Sequence, residues 1–269
     1  MTTLKPTFRA VLETASAPLV GLWNASGSPV AAELMAGSGA DLLLIDGEHG
    51  PIELREILQL LQAAEPYPVT TLVRLPWNDP VRIKQVLDLG AQNLLVPMVE
   101  TAADAEAAVR AARYPGGAGA REGGRGIGSA LARSARWGRV AGYVASADEH
   151  VSVTVQIETA DAVANAAEIA AVDGVDAVFI GPADLAGSMG FPGRPGEPGV
   201  VAAVDATIDA VRAAGKPVGV NAFAEADQDR ALARGANFVF VAADVSLMAR
   251  GSEAAVARLR RSSTDADSY

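Results

Sequence analysis

The sequence predicts an α/β protein built as a single (β/α)8 TIM barrel, and three observations support this fold. Eight short aliphatic segments alternate with alanine-rich, helix-period segments along the chain. The aliphatic segments are apolar without interruption, which is typical of parallel strands that helices cover on both faces. The length of 269 residues suits eight such units in one domain. An open, doubly wound sheet is the alternative.

The predicted elements follow one another in strict order. We expect strands near residues 18–23, 41–45, 69–73, 93–96, 151–157, 175–180, 217–220 and 237–241. We expect helices near residues 52–64, 80–89, 101–112, 160–171, 200–214 and 225–234. Asp79 and Pro80 have the pattern of a helix N-cap followed by proline at the first helical position. Gly90, Gly215 and Gly235 stand where helix C-caps are expected.

Composition limits the class of protein. Half of the residues are hydrophobic, so residues 1–261 are expected to form one barrel domain, with a polar and disordered tail at 262–269. The formal charge of −10 argues against a nucleic-acid partner. The absence of cysteine excludes disulfides, thiolate metal ligands and cysteine nucleophiles. No apolar run is long enough for a membrane span, and no signal peptide is recognisable, so we expect a soluble, cytoplasmic protein.

One connection is longer than a plain loop. More than fifty residues separate the fourth and fifth strands, including the glycine-rich stretch 116–129 and a short helical patch at 130–137. The glycines do not have the spacing of a dinucleotide-binding fingerprint, and a helix rather than a strand precedes them. We interpret the segment as a flexible excursion near the barrel mouth, with Arg125 as its one residue of interest.

Ionisable residues collect where the strands end. Asp46, Glu48 and His49 follow the second strand, and Arg74 ends the third. Gln156 and Glu158 end the fifth strand, and the turn Gly181-Pro182-Ala183-Asp184 follows the sixth. Barrel enzymes carry their active sites at the carboxyl ends of the strands, so we expect these groups to converge on one rim. Glu158 alone is compatible with a solvated loop residue, and Asp184 alone with a helix cap.

Two carboxylates at neighbouring strand ends indicate a site for a hard divalent cation. Mg²⁺ or Mn²⁺ takes one or two protein carboxylates and keeps several waters, which leaves room for substrate oxygens. Arg74 at the same rim suits bidentate binding of a substrate carboxylate. The residues alone therefore predict a metal-assisted enzyme for a small carboxylated substrate, with His49 as its acid–base group.

The remaining histidine and the lysines serve as internal checks. His150 precedes the fifth strand and is separated from Glu158 by about seven residues at roughly 3.3 Å each, so it belongs at the opposite end of the barrel. The chain's lysines are Lys5, Lys84 and Lys216, and none ends a strand. A Schiff-base mechanism is therefore disfavoured.

These residues also carry a resemblance to a known family. The sequence resembles the metal-dependent (class II) pyruvate aldolases of the HpcH/HpaI type over roughly residues 18–250. The segments that carry the resemblance are GLWN (21–24), LLIDGEHGP (43–51), VRLPWNDPVRIKQVLDLGAQNLLVPMVET (73–101), RGIGSALARSARW (125–137), VQIET (155–159) and GVDAVFIGPADLAGSMGFPG (174–193).

The resemblance implies a (β/α)8 barrel, commonly a hexamer with exchanged C-terminal helices, and an aldolase that joins pyruvate as its enolate to an aldehyde or cleaves a 4-hydroxy-2-oxo acid. It implies Mg²⁺ or Mn²⁺ as the cofactor, with Co²⁺ or Zn²⁺ as substitutes. It assigns the metal ligands to Glu158 and Asp184, pyruvate binding to Arg74, and catalysis to His49 paired with Asp88. Other expected contacts to substrate or metal surroundings are Trp23, Asp46, Glu48, Gln156, Phe179, Gly181 and Ala183, with Arg125 near the aldehyde.

Two segments depart from the family pattern. The loop 116–124 is several residues longer, and the stretch NAFAEADQDR after the seventh strand is atypical. Both concern the region that selects the aldehyde, and not the pyruvate half. Related barrels include oxaloacetate decarboxylases and acyl-CoA lyases, which are alternative enzyme assignments. The alternative that is not an enzyme is a non-catalytic metabolite-binding barrel. A CoA lyase needs a basic nucleotide-binding surface, and a binder has no need of a histidine–acid pair.

Overall fold

The computed structural model describes residues 3–116 and 123–264, in which eight parallel strands close into a barrel in sequence order. The strands are β1 Leu19–Asn24, β2 Leu42–Asp46, β3 Thr70–Arg74, β4 Asn93–Val96, β5 Ser152–Ile157, β6 Ala177–Ile180, β7 Val218–Asn221 and β8 Phe238–Ala243. Each pairs with the next, and β8 closes on β1 with a register shift between Gly21 and Leu22. The predicted barrel is confirmed, and the open sheet is excluded.

Helices separate the strands on the outside of the barrel. They are α1 Phe8–Thr14, α2 Pro29–Ala36, α3 Leu54–Ala64, α4 Pro80–Asp88, α5 Ala102–Ala112, α6 Tyr143–Ser146, α7 Ala160–Ala164, α8 Ala166–Ala171, α9 Pro182–Ser188, α10 Pro198–Ala213, α11 Glu225–Ala233 and α12 Asp244–Thr264. The single helix expected over residues 160–171 is interrupted at Asn165, whose side-chain amide donates to the Glu100 carbonyl at 2.8 Å. In the described residues, no helix is long and apolar enough to cross a membrane.

The apolar strands serve two cores at once. In β2, Leu42 and Leu44 pack inside the barrel, whereas Leu43 and Ile45 pack against the surrounding helices. Side chains of a strand point alternately to its two faces, so burial on both faces requires an uninterrupted apolar run. This is why β2 has the uninterrupted apolar sequence LLLI before its last residue, Asp46.

Aromatic rings fill the barrel interior. Phe179, Phe238 and Phe240 contact one another with centroid separations of 5.6–6.3 Å. A side chain at Gly21 would collide with the Phe240 ring, so only glycine fits there. At the amino-terminal end of the strands, Phe8 of α1 packs edge-on against Phe238 at 5.0 Å. The barrel is therefore closed at one end and open for ligand only at the other.

The long connection between β4 and β5 and the C-terminal segment are described only in part. The patch at 130–137 forms only a short 3₁₀ turn, Arg133–Ala135. Residues 117–122 of the long loop lie outside the described residues, so its expected flexibility stays a prediction. Helix α12 continues through Thr264, three residues into the segment expected to be a tail, and residues 265–269 lie outside the described part of the chain.

Candidate active site

A pocket of about 330 Å³ opens at the carboxyl ends of the strands. Its walls combine polar and apolar residues from seven of the eight strand ends. The lining residues are Trp23, Ala25, Asp46, His49, Arg74, Gln156, Phe179, Gly181, Pro182, Ala183, Asp184, Asn221, Phe223 and Ala243. The predicted convergence of His49, Arg74 and Asp184 on one rim is therefore what the structure shows.

Arg74 is held from three sides. Its Nε and Nη2 donate to the two oxygens of Asp46 at 3.0 and 2.8 Å, and its Nη1 lies 2.8 Å from Glu48. Its guanidinium carbon sits 4.4 Å from the centre of the Trp23 ring. Arginine has five N–H donors, and the hydrogen bonds to Asp46 use two of them, since the Glu48 contact is an ion pair without hydrogen-bond geometry. N–H groups on Nη1 and Nη2 therefore remain for a ligand carboxylate, which needs two for a bidentate contact.

Asp46 also shapes the turn that carries the histidine. Its Oδ1 accepts from the backbone N–H groups of Glu48 and His49, each at 3.1 Å. Gly47 and Gly50 allow this tight path, because a Cβ on Gly47 would lie 2.6 Å from the Arg74 carbonyl oxygen. One buried carboxylate thus orients both the arginine and the histidine turn. The sequence placed Asp46 at the rim but did not predict this double contact.

His49 projects into the pocket with its side chain 62% exposed. Its Nε2 lies 3.9 Å from the Glu48 carboxylate. It is the only histidine of the described residues that lines the pocket. His150 lies before β5, at the opposite end of the barrel, where its ring stacks on Tyr143. A histidine at the open rim can exchange protons with a bound ligand.

Glu158 is almost fully buried and accepts from the Met98 backbone N–H at 2.8 Å and from the Gln156 amide. Burial raises the pKa of Glu158, and the Asp184 carboxylate adds to the rise while the two hydrogen bonds oppose it. Met98, which has a positive φ of 54°, was not predicted, because a backbone donor leaves no mark in the sequence.

Gly181 leaves room for the side chains of Gln156 and Glu158, because it has no Cβ. A Cβ at Gly181 would lie 3.2 Å from both Gln156 Nε2 and Glu158 Oε2. Its own N–H donates to the Ile157 carbonyl at 3.1 Å, so it is not available to a ligand. The first turn of α9, with Ala183 and Asp184, leaves its N–H groups without helical partners. These two amides therefore remain the candidates for an anion contact.

The donor set fits a divalent cation. Four carboxylates, those of Asp46, Glu48, Glu158 and Asp184, face a single guanidinium at this end of the barrel. No group of three or more histidine, cysteine or acidic side chains with metal-binding geometry occurs among the described residues. Two carboxylates with waters completing the shell is the arrangement expected for Mg²⁺ or Mn²⁺, and Glu158 and Asp184 would supply them.

Four expected site residues are not among those that line this pocket. Glu48 and Glu158 lie just behind it, in contact with the lining residues Arg74 and Gln156. Asp88 and Arg125 lie away from it within one chain. Asp88 is the last residue of α4, which starts at the rim and descends about 12 Å over its length. Its carboxylate accepts from Arg125 Nη2 at 2.9 Å. Arg125 is buried, with its guanidinium 4.5 Å from the Tyr114 ring. The expected pairing of Asp88 with His49, and the expected contact of Arg125 with the aldehyde, are therefore not made within a single chain.

Other pocket residues were missed. Asn221 is the last residue of β7 and Phe223 follows it, in the segment that departs from the family pattern, and Ala25 and Ala243 lie at the β1 and β8 ends. Phe223 was detectable as an exposed aromatic side chain after a strand, whereas the two alanines carry no chemical signal. No lysine lines the pocket: Lys216 donates to the Val175 carbonyl, and Lys84 lies within α4.

The acidity of the site predicts a pH effect on stability. Burial, opposed by Arg74 and reinforced by Glu158, raises the pKa of Glu48 from 4.5 to about 7. The folded state then binds more protons than the unfolded state between these two values, so the free energy of unfolding falls as pH rises through that window. We expect Glu48→Gln to lose this slope in chelator-treated protein, measured by denaturant unfolding. The exposed Glu168→Gln is the control, and equal slopes in Glu48→Gln and wild type would contradict the assignment.

Comparisons with known proteins agree with the geometry. The family model for HpcH/HpaI aldolase/citrate lyase matches residues 19–251. A 4-hydroxy-2-oxo-heptane-1,7-dioate aldolase from Salmonella heidelberg is 50% identical over 255 residues, covering 95% of each chain.

Two solved structures share the fold. A HpcH/HpaI aldolase/citrate lyase family protein from Burkholderia cenocepacia J2315 is 37% identical, with a TM-score of 0.90 over 94% of this chain and 98% of that one. The citrate synthase SbnG is 26% identical, with a TM-score of 0.83 over 96% and 99%. By family model, sequence identity and fold together, the chain belongs to the HpcH/HpaI aldolase/citrate lyase family, whose similar members include aldolases that act as carbon–carbon lyases.

Proposed function

We propose that the chain is a divalent-metal-dependent pyruvate aldolase, which forms or cleaves the bond between pyruvate and an aldehyde in a 4-hydroxy-2-oxo acid. The observation that carries the proposal is the joint presence in one pocket of Arg74, His49 and Asp184. Glu158 lies behind the pocket wall, where it contacts the lining residue Gln156 and interacts electrostatically with Asp184. The 50% identical relatives named as 4-hydroxy-2-oxo-heptane-1,7-dioate aldolase make that compound the first substrate to test.

Arg74 binds and orients the substrate carboxylate in this scheme. The N–H groups not bonded to Asp46 would bind the ligand carboxylate, and the contacts with Asp46, Glu48 and Trp23 hold the planar guanidinium in place. Gln156 and Phe179 bound the same part of the pocket. A bound cation, held by Glu158 and Asp184, would supply Lewis-acid polarisation of the keto oxygen.

His49 moves the proton. The methyl group of pyruvate must lose a proton for the carbon–carbon bond to form, and must regain one after cleavage. His49 is the only imidazole among the described residues that line the pocket, and its side chain is exposed there, so it is the group we assign to that proton. Glu48, 3.9 Å away, is the nearest carboxylate to its ring.

We propose that the enzyme works as a homo-oligomer, a hexamer by similarity, in the cytoplasm. Apolar side chains on α12, among them Leu247, Met248 and Val256, are more than half exposed in the single chain. Since Asp88 lies at the far end of its own barrel, its pairing with a catalytic histidine requires the His49 of another copy. The absence of cysteine is in keeping with a cytoplasmic enzyme.

This arrangement predicts complementation between inactive variants. When His49→Ala and Asp88→Ala proteins are mixed, dissociated and reassembled, activity should return in about a quarter of the sites, because random mixing restores some intact pairs across interfaces. The control mixes His49→Ala with Asp184→Asn, whose residues line the same pocket of one chain, so no activity should return. If the His49→Ala and Asp88→Ala mixture is as inactive as the control, the proposal that two copies share a site is wrong.

An acyl-CoA lyase is less consistent with the pocket. A CoA substrate carries several phosphates, which need basic side chains, and Arg74 is the only lysine or arginine among the described residues that line the pocket. Oxaloacetate decarboxylation passes through the same enolate, so it fits as a side activity of this site rather than as a separate assignment.

The direct test is the release of pyruvate from 4-hydroxy-2-oxoheptanedioate. We expect release with Mg²⁺ or Mn²⁺, lower rates with Co²⁺ or Zn²⁺, and none after chelation. Arg74→Lys, which keeps the charge but loses the fork, should fold and show a strongly raised KM. Failure of every divalent cation to support release from any 4-hydroxy-2-oxo acid would overturn the proposal.

A further inference from the structure

Asp244 lies outside the catalytic groups yet has an unusual concentration of contacts at the barrel rim. It is 5% exposed and is the first residue of α12, immediately after β8. Its Oδ1 accepts from the Ala25 N–H at 2.9 Å, and its Oδ2 accepts from Asn24 Nδ2 at 3.0 Å and from the Ser26 N–H at 3.2 Å. The Ser26 hydroxyl donates to Oδ2 as well.

Most of these donors come from the far side of the barrel seam. Only the Val245 N–H belongs to the helix that Asp244 begins. Of the other four donors, one belongs to Asn24, the last residue of β1, and three belong to the turn between β1 and α2. A carboxylate whose role was to cap its own helix would instead bind that helix's first N–H groups. Asp244 therefore holds the last strand of the barrel to the turn that follows the first.

The end of β1 and the turn that follows it contact the surroundings of both functional groups of the pyruvate half, Arg74 and His49. Trp23, the residue before Asn24, lies 4.4 Å beneath the Arg74 guanidinium. The Ala25 carbonyl oxygen would be 2.8 Å from a Cβ on Gly50, the neighbour of His49. A shift of the β1–α2 turn would thus displace the surface under Arg74 and the support of the His49 turn together. Glu158 directly follows β5, and Asp184 lies in α9 after β6, and neither of these strands pairs with β1.

We propose that Asp244 is a positioning residue for the reaction, which fixes the β1–α2 turn and through it the orientation of Arg74 and His49. The role deepens the proposed aldolase function and rests on it for its kinetic consequences. Asparagine at position 244 would keep the shape of the side chain but replace one carboxylate oxygen with an NH₂ group. That group would face the donors of Asn24 and Ser26, and donors cannot bond to one another. The turn would then move without any change in the metal-binding acids.

The test compares Asp244→Asn with Ser26→Ala, which removes one donor and leaves Asp244 in place. We expect KM for pyruvate in the metal-dependent exchange of its methyl protons to rise about tenfold in Asp244→Asn and by a smaller factor in Ser26→Ala. Mn²⁺ affinity should stay within about twofold of wild type, because the turn does not touch Glu158 or Asp184. The control is Asp79→Asn, a carboxylate that caps α4 at the same rim through Val81 and Arg82.

An activity-independent readout separates this inference from the proposed function. The chain has two histidines, so ring NMR signals of His49 and His150 can be followed individually. We expect both Asp244→Asn and Ser26→Ala to shift the His49 signals and leave those of His150 unchanged. An inert wild type with shifted His49 signals would overturn the aldolase function but not the positioning role.

Two results would overturn the positioning role. One is an unchanged His49 spectrum in both variants with wild-type KM. The other is a parallel loss of pyruvate binding, Mn²⁺ affinity and thermal stability like that of Asp79→Asn, which would mean general destabilisation. If Asp244→Asn does not fold, Ser26→Ala alone decides between these outcomes.

Discussion

Glu158→Gln is expected to reduce aldol cleavage by about 10³-fold or more, because it removes a buried carboxylate from the pair that would hold the cation and so removes charge stabilisation at the keto oxygen. The measurements are kcat for pyruvate release and Mn²⁺ affinity by calorimetry. We expect the substitution to lower kcat and Mn²⁺ affinity together. Asp184→Asn should act in the same direction.

The same substitution has an opposite effect on the metal-free fold. Burial and the Asp184 charge raise the pKa of Glu158, so ionising it costs the folded state free energy. A neutral glutamine avoids that cost. We therefore expect the metal-free variant to unfold at the same or a higher temperature than wild type, but to gain no stability from added Mn²⁺. Exposed Glu168→Gln is the control. Full activity in Glu158→Gln would refute its assignment as a ligand.

His49→Ala should lower kcat by about 10²- to 10⁴-fold, the range typical of losing a general acid–base group. Mn²⁺ affinity should not change, since His49 is not among the proposed ligands. The structure supplies a matched control in His150→Ala, which removes the other imidazole of the chain at the closed end of the barrel. We expect His150→Ala to retain activity and to lose some stability with its Tyr143 contact. Equal losses in the two variants would show that His49 has no special role.

The fold was predictable because the strands are buried on both faces. Segments such as LLLI at 42–45 have no polar alternation, which leaves parallel pairing inside a helical layer as the reading that suits them. Proline and glycine marked helix ends at Pro80, Gly90 and Gly215. The break at Asn165 was not predictable, since it depends on a hydrogen bond to Glu100, more than sixty residues away.

The candidate site was predictable where function requires ionisable side chains at strand ends. His49, Arg74 and Asp184 all line the pocket, as their positions after β2, β3 and β6 indicated. Contacts made by backbone groups or small residues were not predictable, as with the Met98 amide on Glu158. Asp88 shows a different limit. Resemblance assigned it a role, but the direction of α4 places it at the opposite end of its own chain's barrel from His49.

The buried groups around Arg74 show how the site is built from the fold upward. Asp46 is the last residue of β2, Arg74 is the last residue of β3, and the two are register partners in the sheet. Strand pairing therefore places the carboxylate beside the guanidinium before any ligand arrives. A site preorganised in this way spends little binding energy on ordering its own side chains.

The central claim is that this pocket generates the enolate of pyruvate with help from a divalent cation. The measurement that tests it most directly is the exchange of pyruvate's methyl protons in D₂O, followed by NMR with Mg²⁺, because it requires no knowledge of the aldehyde. We predict exchange by wild type that a chelator stops and that His49→Ala and Glu158→Gln each abolish. Absence of exchange with every divalent cation, with and without added aldehyde, would contradict the account.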